Sequence, residues 1–103
     1  MEQKTERLTY EDFKNRLNSQ YIINTAEADV SIQLFELSEH KVSAQQERFS
    51  LLFKGPLGLF LPQKMYPCRH EEMGVFDLFI VPVAQVKDGF VYEAVFNRII
   101  EHQ

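Results

Sequence analysis

Cys68 and His70 come nearest, of all the residues in this chain, to a reactive pair. On a strand, positions i and i+2 project to the same side, so a thiol and an imidazole at this spacing could meet as nucleophile and base. Catalysis would also need an oxyanion hole and an orienting acid from another element, for which Glu71, Glu72 and Asp77 are the nearby carboxylates. A small cysteine-dependent hydrolase or thiol enzyme is therefore the catalytic alternative. The simpler reading makes Cys68 a small buried packing residue and His70 a hydrogen-bonding cap for the turn that follows, because a free cysteine is usually a packing residue.

Other chemistries have weaker footing. His40, Cys68 and His70 are ligand types, but no CxxC or HxxxH spacing supports a metal site. The one cysteine excludes an internal disulfide. The four glycines, Gly55, Gly58, Gly74 and Gly89, fall singly at turns or on a rim and form no phosphate-cradling loop or nucleophile elbow. Neither metal nor cofactor is expected.

The stretch Gly55–Tyr66 combines chain-stiffening prolines with apolar and basic residues on what reads as a loop-rich rim. Such a surface could bind protein, with Leu59, Phe60, Met65 and Tyr66 meeting the partner and Lys54, Lys64 and Arg69 facing its acids. The expected binding set is Leu59, Phe60, Lys64, Met65, Tyr66 and Arg69. The competing reading has these apolar residues plug a barrel end. A second possible surface is Tyr92–Asn97, which would invite strand addition by another copy of the chain if it lay at a sheet edge.

These residues must be positioned by a helix and a run of strands. Thr9 can cap a helix, with Leu8 and Phe13 as a hydrophobic staple and Glu11 and Asp12 at the positive end of the dipole. Phe13, Leu17 and Tyr21 give that helix one apolar stripe, and it should stop near Asn18-Ser19. From Tyr21 the period changes to two. Strands are expected over Tyr21–Thr25 and from Val30, where the phase slip at Phe35 signals a bulge. His40–Gln46 reads as loop, although Glu39–Gln46 could form a helical turn. In Phe49–Lys54, Phe49, Leu51 and Phe53 face the core, and Gly55-Pro56 ends the strand. Leu57–Leu61 is a short strand or rim, and Met65–His70 places Tyr66, Cys68 and His70 on one face. Pro67 there implies a sheet edge. Val75–Val83 is apolar on both faces and reads as buried on both sides. Lys87-Asp88-Gly89 turns it into a hairpin with Phe90–Asn97, whose Phe90, Tyr92, Ala94 and Phe96 share a face.

The chain is thus one α+β, mostly β domain over residues 1–103: a small antiparallel curved sheet or barrel of about six strands with one N-terminal amphipathic helix. Residues 1–7 and the last few are expected to be unstructured. The 103 residues fit one core, and a composition 45% hydrophobic and 25% charged excludes a disordered chain. A net charge of −4 argues against a nucleic-acid coat. Acidic residues gather in 21–47 and basic ones in 48–70, which would make a dipolar surface if the segments lay on different faces; ordinary solvated charge is the preferred reading. No apolar run approaches the length of a membrane span, and the N-terminus lacks a signal peptide's apolar core, so the chain reads as cytoplasmic or exported without a Sec signal.

The compound pattern Phe-x-x-x-Phe-x-Gly-Pro at 49–56, Leu-Pro-Gln-x-x-Tyr at 61–66, Phe-x-Leu-Phe-Ile-Val-Pro-Val at 76–83 and Tyr-Glu-Ala-Val-Phe-Asn at 92–97 resembles a small bacterial domain-of-unknown-function family. With Leu-Thr-x-x-x-Phe at 8–13 the resemblance spans nearly the whole chain. It implies no activity and gives no role to Met65 or Cys68. It implies an accessory or assembly role near phage-tail-like structural proteins. The leading expectation is a non-enzymatic interaction domain that binds a protein partner or forms a homodimer.

Overall fold

A computed structural model describes residues 8–38 and 40–99. The expectations for residues 1–7 and for the C-terminal end lie outside these. Helix α1 (Tyr10–Lys14) precedes seven strands: β1 (Gln20–Asn24), β2 (Asp29–Leu37), β3 (Lys41–Val42), β4 (Gln46–Gly55), β5 (Lys64–His70), β6 (Gly74–Val86) and β7 (Gly89–Ile99). Six of them close an antiparallel barrel in the order β1-β2-β4-β7-β6-β5, and β3 hangs on β4 outside the ring. The mostly β architecture with one N-terminal helix follows the sequence reading. Among the described residues no helix is long and apolar enough to cross a membrane.

The core is built by alternation. Phe49, Leu51 and Phe53 of β4 point inward, as do Tyr66, Cys68 and His70 of β5 and Phe76, Leu78 and Ile80 of β6, all buried. Tyr92, Ala94 and Phe96 of β7 complete that side, with Phe90 partly buried against the core. The phase slip at Phe35 is a bulge: Leu34 faces Phe53 and Glu36 faces Leu52, which leaves Phe35 as the extra residue.

Thr9 and Asp12 form a reciprocal capping box, with the Asp12 amide donating to Thr9 Oγ1 at 3.1 Å and the Thr9 amide to Asp12 Oδ2 at 2.9 Å. Phe13 is fully buried among the rings of Tyr21, Phe49, Phe76 and Phe96, so α1 stoppers one barrel mouth. The helix is shorter than its apolar stripe predicted, and Leu17 is exposed. Barrel closure is the cause. The Asn18 amide donates to the Leu34 carbonyl of β2, and the Leu34 amide to that of Ser19, so the ladder captures the chain a turn early. Asn18 makes the reversal at φ 71°, which asparagine tolerates better than most residues.

Of the two readings of Leu57–Leu61, the rim holds and the strand does not. Three further expectations are corrected. His40–Gln46 is not all loop, because Lys41 and Val42 pair with Arg48 and Glu47. Strand β5 is not an edge, since it pairs with β6 throughout and with β1 at Ile22↔Arg69 and Ile23↔Cys68; Pro67 lies just outside that short second ladder, where a missing N–H costs little. Strand β6 is buried on one side only: Val75, Phe79, Val83 and Val86 stand exposed.

Candidate functional site

Cys68 and His70 do share the inner face of β5, but what surrounds them is core. The Cys68 side chain is buried, and burial pushes its thiol up to about 12 while the neighbouring Arg69 opposes the shift. Such a thiol stays protonated at neutral pH. His70 is also buried, its ring tilted against Tyr21 at 4.6 Å between centroids. The Glu72 amide donates to His70 Nδ1 at 3.0 Å, and Nε2 lies 2.8 Å from Ser19 Oγ. Ser19 gives its own hydroxyl hydrogen to the Arg16 carbonyl, so it must accept from Nε2–H. Both ring nitrogens are therefore engaged, and the turn-capping role read from the sequence is the one His70 fills. Burial holds the imidazole below its ordinary pKa, with Arg16 reinforcing and Glu72 and Glu71 opposing. Among the described residues no cluster of ligand side chains could hold a metal ion.

The rim stretch is mostly a stopper for the other barrel mouth. The Leu61 amide donates to the Tyr92 hydroxyl at 3.0 Å, and the Tyr66 hydroxyl donates to the Pro62 carbonyl at 2.6 Å. Two core tyrosines thus hold the crossing chain, with Leu61 buried and Leu59 partly buried against the core. Burial raises the pKa of both tyrosines.

The structure disperses the expected binding set. Tyr66 is core and Leu59 is largely stopper, so neither is offered to a partner. Phe60 is half-exposed and packs edge-on against Phe90 at 5.1 Å. Lys64 lies 5.7 Å from the centre of the Tyr66 ring. Arg69 is on the wall facing β1 and donates to Asp29 at 3.0 Å. Met65 is exposed on a different part of the wall. That Arg69–Asp29 pair also joins the basic and acidic segments, since β1 and β2 lie side by side with β5 and β4 flanking them, so the two segments do not occupy opposite faces.

What the sequence reading missed is a second apolar wall. Met65 sits opposite Phe79 in the β5–β6 ladder, and the two share a groove of about 250 Å³ with Val95 of β7. Met65, Phe79 and Val95 are 54%, 43% and 45% exposed, and Val75 farther along β6 is 61% exposed. Leu78, Ala94 and Phe96 floor the groove, and Asp77, Asn97 and Arg98 give it polar borders. The groove lies where β6 and β7 part: their register runs from Val86↔Gly89 to Val81↔Glu93 and stops there. The run of apolar residues in 75–83 was the available signal, read as double burial because a pattern alone does not tell a covered face from an open one. Tyr92–Asn97 is not an edge, since β7 pairs with β4 along its whole length, so the condition for strand addition there is not met.

A closed six-stranded antiparallel barrel, stoppered by a helix at one mouth and a tyrosine-held crossing at the other, is the class the geometry defines. The chain belongs to the family described as Domain of unknown function (DUF6916), which matches residues 8–96. No curated protein and no solved structure matches it.

Proposed function

We propose that the chain is a non-enzymatic protein-interaction domain, an accessory to assembly, and that it binds through the outer wall of β5, β6 and β7. The observation that carries this reading is the row Met65, Phe79 and Val95 on three neighbouring strands, all substantially exposed. Val75 adds apolar surface farther along β6, beyond Asp77, and exposed apolar groups gathered on one wall of a monomer are often functional. Burial of apolar surface is worth about 25 cal/mol per Å² before the costs of association, so a row of this kind suits the apolar centre of a standard interface of about 800 Å² per partner. Two features weigh against the thiol-enzyme alternative: the protonated, buried Cys68 and the fully engaged His70.

An assembly role beside tail-like structural proteins is the form of this reading that the family resemblance supports, and a second copy of the chain is the simplest partner to test. Sedimentation velocity of the purified chain over a concentration series, with Phe79→Glu and Met65→Glu beside it, reads the interface directly. Self-association that both substitutions abolish, with unchanged circular dichroism, fits the proposal. Association that survives both moves the interface elsewhere.

A further inference from the structure

The relay through His70 joins two parts of the chain that are far apart in sequence. From the β5–β6 turn, the Glu72 amide donates to Nδ1; from the α1–β1 connection, Ser19 accepts from Nε2–H and passes its own hydrogen to the Arg16 carbonyl. Every hydrogen in this relay is assigned by elimination, because an amide can only donate and a carbonyl can only accept. A further proton has one place to go, Nδ1, which already faces the Glu72 N–H at 3.0 Å. Two hydrogens would then point at each other, and the turn must withdraw. A second link spans the same gap, Arg16 Nε to Glu72 Oε1 at 3.2 Å, and the Glu72 carboxylate is exposed enough to turn toward a new cation instead.

We propose that His70 is an acid-sensitive latch that holds the α1–β1 connection against the β5–β6 turn, and that its protonation opens this connection and loosens α1 from the barrel mouth. The groups facing the imidazole are Arg16 and Ser19 from the connection, Tyr21 from β1, and Glu71 and Glu72 from the turn. The two glutamates favour the protonated ring and Arg16 opposes it, while burial is the dominant effect and also opposes it. An opened connection exposes the ring, returning it toward the ordinary histidine value near 6.5. The open form therefore binds the proton more readily. The closed form has its full advantage above pH 6.5 and loses it as pH falls from there through the lowered value of the buried ring. What opens is the stopper over Phe49, Phe76 and Phe96, so acid would uncover an apolar mouth that is closed at neutral pH.

Amide hydrogen exchange, corrected for intrinsic rates, tests this at pH 7.0 and 5.5. The amides of Arg16, Asn18, Ser19 and Glu72 should lose protection by up to about tenfold per pH unit below 6.5, and should stay less protected than Phe53 and Tyr92 in the core strands at both values. In His70→Gln the pH effect should vanish. Should that variant fail to fold, an NMR titration of the wild-type imidazole serves: the Ser19 and Glu72 amide shifts should move with the midpoint of His70. The latch is overturned if His70 titrates without moving those amides. It is equally overturned if their protection is insensitive to acid or equals that of the core strands throughout, which would mean the connection opens only when the barrel unfolds.

Discussion

Two buried tyrosines of the same barrel should respond in opposite ways to loss of the hydroxyl. The Tyr92 hydroxyl accepts from the Leu61 amide in a buried hydrogen bond, so Tyr92→Phe leaves a backbone N–H without a partner under the stoppered mouth. Stranding such a donor costs about 1–3 kcal/mol. For a domain of this size about 1 kcal/mol corresponds to a shift of ~4–8 °C, so Tyr92→Phe should lower Tm by ~4–24 °C. Tyr21 is equally buried, but its hydroxyl makes no hydrogen bond of good geometry among the described residues; Ser19, which donates to Arg16 and accepts from His70, lies near enough only to offset part of the effect of burial on its pKa. Burial accordingly holds its pKa above the ordinary range. Tyr21→Phe removes an unsatisfied group and should be neutral, or stabilising by up to ~1 kcal/mol. Urea denaturation of both variants, analysed with a common slope, gives the comparison. Equal losses, or a larger loss at Tyr21, would refute the assignment of the stopper to Tyr92.

Other expectations follow from the same packing. Phe13→Ala removes the ring that fills the helix-side mouth and should cost about 3–5 kcal/mol in denaturant titrations, whereas Leu17→Ala, on an exposed site, should cost under about 1 kcal/mol. Gly89→Ala would set a Cβ 2.4 Å from the Gly55 carbonyl oxygen, a backbone clash that should cut the soluble yield or lower Tm by ~10 °C or more. Cys68 should resist thiol reagents in the native protein at pH 7–8 and react only at the rate of unfolding, because its thiol is both buried and pushed up to about 12. Rapid native labelling would reopen thiol chemistry.

Local chemistry made much of this fold readable from the residues. The Thr9–Asp12 box depends on side chains three residues apart, and the inward faces of β4 and β7 depend on strict alternation, so both are stated by spacing. The Phe35 bulge is legible because an extra residue must shift the apolar phase. Closure is not legible: the β2–β4 ladder that seals the ring, and the capture of Asn18 by Leu34 that shortens α1, join partners whose sequence distance carries no local mark. The same limit governs the site. Tyr66 and Met65 are adjacent, apolar and on one strand, yet alternation sends one into the core and the other outside, so a binding set drawn as a sequence block had to break up. Phe79 went unnoticed for a complementary reason, since its surroundings on β6 are apolar whether or not anything covers them.

The most direct measurement of the interaction surface is site-specific photo-crosslinking, with the reactive side chain placed at Phe79 or Val95 on the apolar wall, or at Ser31 on the opposite one. Positions 79 and 95 should each yield the same single adduct of defined mass, lost when Met65→Glu is added, while position 31 yields none. A discrete adduct from position 31 alone, or adducts from 79 and 95 that Met65→Glu leaves intact, would contradict the assignment of this wall as the interface.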